Sequence, residues 1–151
     1  MAFDKKNSAG YLANHMARLF ALGLQKRLNP TGLATAQFMT LLELWNKDGL
    51  TQKQLVANLD VEQATMANTL ARMERDGLVR RRPHPADARS QQVWLTAKAR
   101  GLREAATDAA SAQNRIALNG LSGDEQEVFL ALMRRVIETM REQRDQPSDA
   151  D

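Results

Sequence analysis

At 151 residues, with a formal charge of only +3 and 43% hydrophobic side chains, the chain is long enough to bury one core and short for two independent lobes. It contains no cysteine, which excludes disulfides, thiolate zinc sites, thiol nucleophiles and cysteine-based peroxide sensing. No apolar run approaches the roughly 20 residues that cross a bilayer, and Met1 to Asn7 carries Asp4, Lys5 and Lys6 with no apolar block behind them, so the expectation is a cytoplasmic protein without signal peptide or membrane partner.

From Tyr11 to Leu28, Leu12, Met16, Leu19 and Phe20 recur at helical spacing, and Asn29-Pro30-Thr31-Gly32 stops that first helix. A second helix is predicted after Thr35 as N-cap, burying Phe38, Leu41, Leu42 and Trp45 and ending at Lys47-Asp48-Gly49. Thr51-Gln52-Lys53-Gln54 matches a capping box and opens a short third helix to about Asn58. After Leu59-Asp60-Val61, a fourth runs from Glu62 to Asp76 with Met66, Leu70 and Met73 on one face, and Gly77 closes it.

Leu78 to Arg82 and Gln92 to Leu95 read as two short strands joined by a protruding loop, Pro83 to Ser90. Two long helices finish the chain, about Ala97 to Leu118 and then one opened by the capping box Ser122-Gly123-Asp124-Glu125, with a polar, frayed tail after Gln143. The fold class expected is mainly α with a small β-hairpin.

Charge along the chain is uneven. Leu78 to Thr96 holds Arg80, Arg81, Arg82 and Arg89 against Asp87 alone, whereas Leu121 to Asp151 holds four arginines against eight acids, ending in Asp145, Asp149 and Asp151. A basic middle beside an acidic tail is the footprint of a face that meets a polyanion, although a solvated strand edge looks similar.

Two helices joined by a tight turn, the second longer and polar on one face, followed at once by a basic hairpin, is the order of a winged helix-turn-helix. The second helix can enter a major groove, where Gln63, Thr65 and Asn68 present hydrogen-bonding groups to base edges and Ala64 or Thr65 a methyl to thymine. Arg89 at the hairpin tip suits the minor groove, and Arg80, Arg81 and His84 suit phosphates. Met66, Leu70 and Met73 are core, Trp45 and Trp94 packing anchors, and His15 and His84 carry no metal-site spacing. An enzyme would need a phosphate loop or a nucleophile-base set, and neither stands out; no cofactor is implied. The alternative is a winged-helix module that binds only protein, for which an apolar or acidic recognition face would be expected.

Thr51 to Leu55, then Thr65 through Arg72-Met73-Glu74-Arg75-Asp76-Gly77-Leu78-Val79-Arg80-Arg81, then Asp87-Ala88-Arg89 followed by Val93-Trp94-Leu95-Thr96, resembles the core of the MarR family of bacterial regulators. The resemblance covers nearly the whole chain as a single 1–151 domain. It implies a winged helix-turn-helix lobe at 33–96 and dimerisation helices at 8–29 and 97–145. It places a wing brace on Asp87 and a minor-groove contact on Arg89, and recognition contacts on Gln63, Ala64, Thr65, Asn68 and Arg72. The sequence departs from many relatives at Glu62, where they carry serine, and at Asn68, where they carry arginine. The function implied is a homodimeric repressor on a pseudo-palindromic double-stranded operator, its recognition helices about 34 Å apart. A small, often aromatic, effector would be bound near Tyr11, His15 and Trp45.

Overall fold

The structure is a computed structural model that describes residues 1–147, so the acids Asp149 and Asp151 of the expected tail lie outside the described residues. A short 3-10 turn at Lys5–Asn7 precedes α1, Ala9–Leu28, which Ser8 caps by accepting the Tyr11 N–H. Asn29-Pro30-Thr31 forms a second 3-10 turn and Gly32 adopts φ 76°, so the predicted stop is real.

The next helix, α2, is Thr35–Asn46, and its start corrects the expectation. Thr35 is its first residue rather than its cap. The orphan donors there are satisfied from elsewhere: Gln25 Oε1, on α1, accepts from Thr35 N and Oγ1, and Gln37 Oε1 accepts from Ala34 N. Leu42, expected in the core, is exposed, while Phe38, Leu41 and Trp45 are buried.

Leu50–Thr51 is a two-residue strand, β1, ahead of α3, Gln52–Leu59. The capping box is formed as expected, Thr51 Oγ1 accepting from Gln54 N and Gln54 Oε1 from Thr51 N. Asp60 turns the chain at φ 54° into α4, Gln63–Arg75. Beyond its C-cap Asp76, Gly77 takes φ 72° and the Leu78 N–H reaches back to Met73 O at 2.8 Å, a Schellman closure.

The hairpin is longer than expected. β2 is Val79–His84 and β3 is Asp87–Leu95, so the strands run into the predicted loop: Pro83 pairs with Gln91 and His84 with Asp87, the register shifts between those two pairs so that Ala88 to Ser90 bulge, and Pro85 and Ala86 form the tip. Pro83 is tolerated because β2 lies at an edge of the sheet, whose order is β1-β3-β2. The small hairpin is therefore part of a three-stranded antiparallel sheet: Leu50 pairs with Val93 and Thr51 with Gln92. The long helix expected after it breaks at Leu102 into α5, Ala97–Gly101, and α6, Arg103–Ala117. The last helix, α7, is Gly123–Asp145, with its Ser122–Glu125 capping box in place.

Met1–Gln113 forms one compact unit and the described residues from Asn114 onward a second. The first holds a core of Leu28, Phe38, Leu41, Leu44, Leu55, Leu70, Met73, Leu78, Val79 and Val93, each at most 2% exposed. Fully burying such side chains stabilises by about 1.5–3 kcal/mol each, which clamps α3 and α4 onto the sheet. In the second unit, no described residue of α7 is buried. Among the described residues no helix is long and apolar enough to cross a membrane.

Candidate nucleic-acid interface

Helix α4 sorts its residues by the 3.6 period. Met66, Leu70 and Met73 face the core, so Gln63, Ala64, Thr65, Asn68 and Arg72 all stand exposed on the rest of its surface. Its N-cap, Glu62, makes no side-chain cap bond, so the positive end of the helix is open to solvent.

The hairpin presents its cations unevenly. Val79 is buried and Arg80 and Arg82 are exposed, as the period of a strand requires. Arg81 points the other way: its side chain is 25% exposed, its Nε lies 3.8 Å from Glu74 Oε2, and that Nε is buried without a hydrogen bond among the described residues. At the tip, His84 Nδ1 accepts from Ala86 N at 3.0 Å. Asp87 Oδ1 accepts the Arg89 N–H at 3.0 Å and lies 3.6 Å from Arg89 Nε. That carboxylate orders the turn, yet the Arg89 side chain remains 95% exposed.

Between the start of α3, α4 and the hairpin lies a cleft of about 320 Å³, where Lys53 joins Arg81 and Arg89. Lys53 was not a sequence candidate; the signal available was a lysine inside the capping box, next to the turn into α3. The cluster is cationic, polar and open. It offers positive charge to phosphates and hydrogen-bonding edges to bases, with no group set to transfer atoms.

The three effector candidates are not gathered at one place. Tyr11 and His15 meet edge to face on α1, ring centroids 6.1 Å apart. Trp45 is 9% exposed, donates Nε1–H to Ala99 O at 3.1 Å and meets the Phe38 ring in a T-shaped contact. It borders a cavity of about 320 Å³ with Leu44, Asp48, Leu95, Arg100 and Arg103, to which neither Tyr11 nor His15 contributes.

The family model that matches residues 33–91 is that of the MarR family. The chain is also 38% identical over 105 residues to the transcriptional regulator HosA of Escherichia coli O111:H-, covering 70% of this chain and 78% of that relative. The chain belongs to the MarR family. As a MarR-family protein it is a DNA-binding transcriptional regulator, a class without enzymatic activity. It is 26% identical over 137 residues to the transcriptional repressor NicR of Pseudomonas putida, covering 91% of this chain and 87% of NicR. Among solved structures it resembles the PcaV transcriptional regulator of Streptomyces coelicolor in complex with its natural ligand, with TM-score 0.80 and 26% identity over 91% of this chain and 97% of PcaV. The MarR-family match spans α2 to the β3 residues just beyond Arg89, the stretch that carries the polar face of α4 and the basic hairpin.

Proposed function

We propose that this MarR-family regulator acts as a homodimeric repressor. In that reading residues 33–96 form the DNA-binding lobe and residues 8–29 and 97–145 supply the dimerisation helices. Gln63, Ala64, Thr65, Asn68 and Arg72 face the bases of one major groove. Arg89 enters the adjacent minor groove, braced by Asp87. Arg80, Arg81 and His84 lie along the phosphates, and two copies span successive turns of a pseudo-palindromic operator. Repression follows from occupying the promoter. The observation that carries the reading is the juxtaposition of an exposed polar helix face with a hairpin whose tip arginine is 95% exposed although its own carboxylate neighbour lies 3.6 Å away. Its guanidinium is therefore accessible to an incoming duplex. The likeness to NicR, named as a repressor, supports the sign of regulation, and the likeness to PcaV, solved with its natural ligand, supports release by a small molecule, for which the cavity beside Trp45, apart from Tyr11 and His15, is the available place.

The test is titration of the purified protein onto a duplex from upstream of its own gene, against random duplex, over a range of salt. Promoter binding should be preferred and should fall on the order of a thousandfold between roughly 50 and 200 mM salt if about six phosphates are engaged. Arg89→Ala should weaken it by about 1–3 kcal/mol with the fold intact. Equal affinity for random duplex removes the operator reading. An unchanged Arg89→Ala affinity removes the minor-groove role, and no binding at low salt leaves a protein-interaction module.

A further inference from the structure

Both helices of the helix-turn-helix begin with a glutamine, and the two side chains meet. Gln52 is the first residue of α3 and Gln63 the first of α4, and Gln52 Nε2 donates to Gln63 Oε1 at 3.3 Å. The two partners are held very differently. Gln52 follows Thr51, whose capping box with Gln54 fixes the first turn of α3 and whose backbone is paired to Gln92 of the hairpin. Its side chain is half-buried at the rim of the cleft shared with Lys53, Arg81 and Arg89. Gln63 is exposed and opens a helix whose N-cap supplies no side-chain bond. Gln52 is thus the anchored member and Gln63 the one being oriented.

The chemistry of the amide then decides what Gln63 can show. A free glutamine offers an acceptor and two donors side by side, the pattern that pairs with adenine N6 and N7. With one lone pair of Oε1 engaged by Gln52, the group of Gln63 that keeps all its hydrogen-bonding capacity is Nε2, with two N–H donors. Donors match an edge made of acceptors, and guanine N7 and O6 form such an edge in the major groove. We propose that Gln52 is a specificity-determining positioning residue, which holds Gln63 donor-outward so that the start of α4 reads guanine in preference to adenine. The proposal rests on α4 being the recognition helix.

The test uses the full chain as wild type, Gln63→Ala, Gln52→Ala and Gln52→Glu. The wild type is first selected on a randomised duplex pool. All four proteins are then titrated on duplexes carrying each base at the position whose preference Gln63→Ala erases. The wild type should favour guanine there over adenine by on the order of tenfold. Gln52→Ala should bring that ratio to within about twofold while preferences at other positions persist. Glutamate has no N–H to give, so Gln52→Glu should turn Gln63 over to expose Oε1 and shift preference toward adenine or cytosine, a change that loss of structure alone does not produce. Three results overturn the proposal while DNA reading stands: a wild-type preference for adenine at that position, ratios untouched by both Gln52 variants, or no position altered in Gln63→Ala. A wild type that enriches no sequence overturns the operator reading itself.

Discussion

Asp76 shows how one side chain ties distant parts of this chain together. Its Oδ2 accepts from Gln37 Nε2 at 2.9 Å, its Oδ1 from Arg75 Nε at 3.0 Å, and its carbonyl from Lys98 Nζ at 2.8 Å. Gln37 is only 6% exposed, so its amide must find partners within the protein, and Asp76 and Ala34 N provide them. The hydrogen bond from Arg75, and then that from Gln37, holds the Asp76 carboxyl below the ordinary aspartate range. A carboxyl lowered in the folded state contributes stability that is complete above its unfolded value of about 4 and is lost as pH falls through the folded value. Asp76→Asn, which keeps the shape and removes the charge, should therefore melt below wild type at pH 7, and the gap should close below about pH 4. Thermal unfolding followed by circular dichroism across pH would check this; a gap that persists in acid would assign the effect to packing. No motif announces the Gln37–Asp76 contact, because its partners are 39 residues apart.

At the scale of elements, two glycines with the same backbone do different work. Gly77 adopts φ 72° where a Cβ would meet open space, whereas Gly49 adopts φ 75° where a Cβ would lie 2.6 Å from the Trp94 ring. Gly49 also sits where the sheet is fastened to the end of α2. Its N–H reaches Val93 O at 3.1 Å, and Asp48 Oδ1 accepts from both Gly49 N and Leu95 N at 2.9 Å. Gly77→Ala should cost about 1–2 kcal/mol, the strain of the left-handed region alone. Gly49→Ala should cost that and displace Trp94 as well, about 3 kcal/mol or more in total. Urea unfolding of the two variants would separate them, and equal losses would show that Trp94 yields freely. Capping boxes at Thr51 and Ser122 were legible because their partners are three residues apart. The third strand was not, since β1 has only two residues and exists through β3.

At the scale of the whole molecule, apolar side chains stand uncovered. Leu12, Leu19 and Leu22 on α1 and Val128, Leu132, Val136, Ile137 and Met140 on α7 are each at least 48% exposed. On each of these helices by itself the apolar residues repeat at helical spacing, and a second copy of the chain is the cover proposed here. Replacing Leu132 and Val136 together by Asp should halve the mass seen in sedimentation and weaken promoter binding by on the order of a hundredfold, because the two half-sites are no longer linked. A variant that keeps the wild-type mass would place the interface elsewhere.

The helix stops at Asn29 to Gly32 and Gly77, the capping boxes, the core face of α4 and the basic hairpin were all readable from the chain, together with the family. They are local, set by the 3.6 and 2.0 periods and by groups within a few residues. Tertiary structure alone decided the first turn of α2, where Gln25 takes the capping role expected of Thr35. It also decided the extension of the hairpin through Pro83 into a three-stranded sheet and the inward lean of Arg81 toward Glu74. Each depends on a partner brought near by burial of the shared core, and proximity of that kind is a property of the folded chain rather than of any window within it.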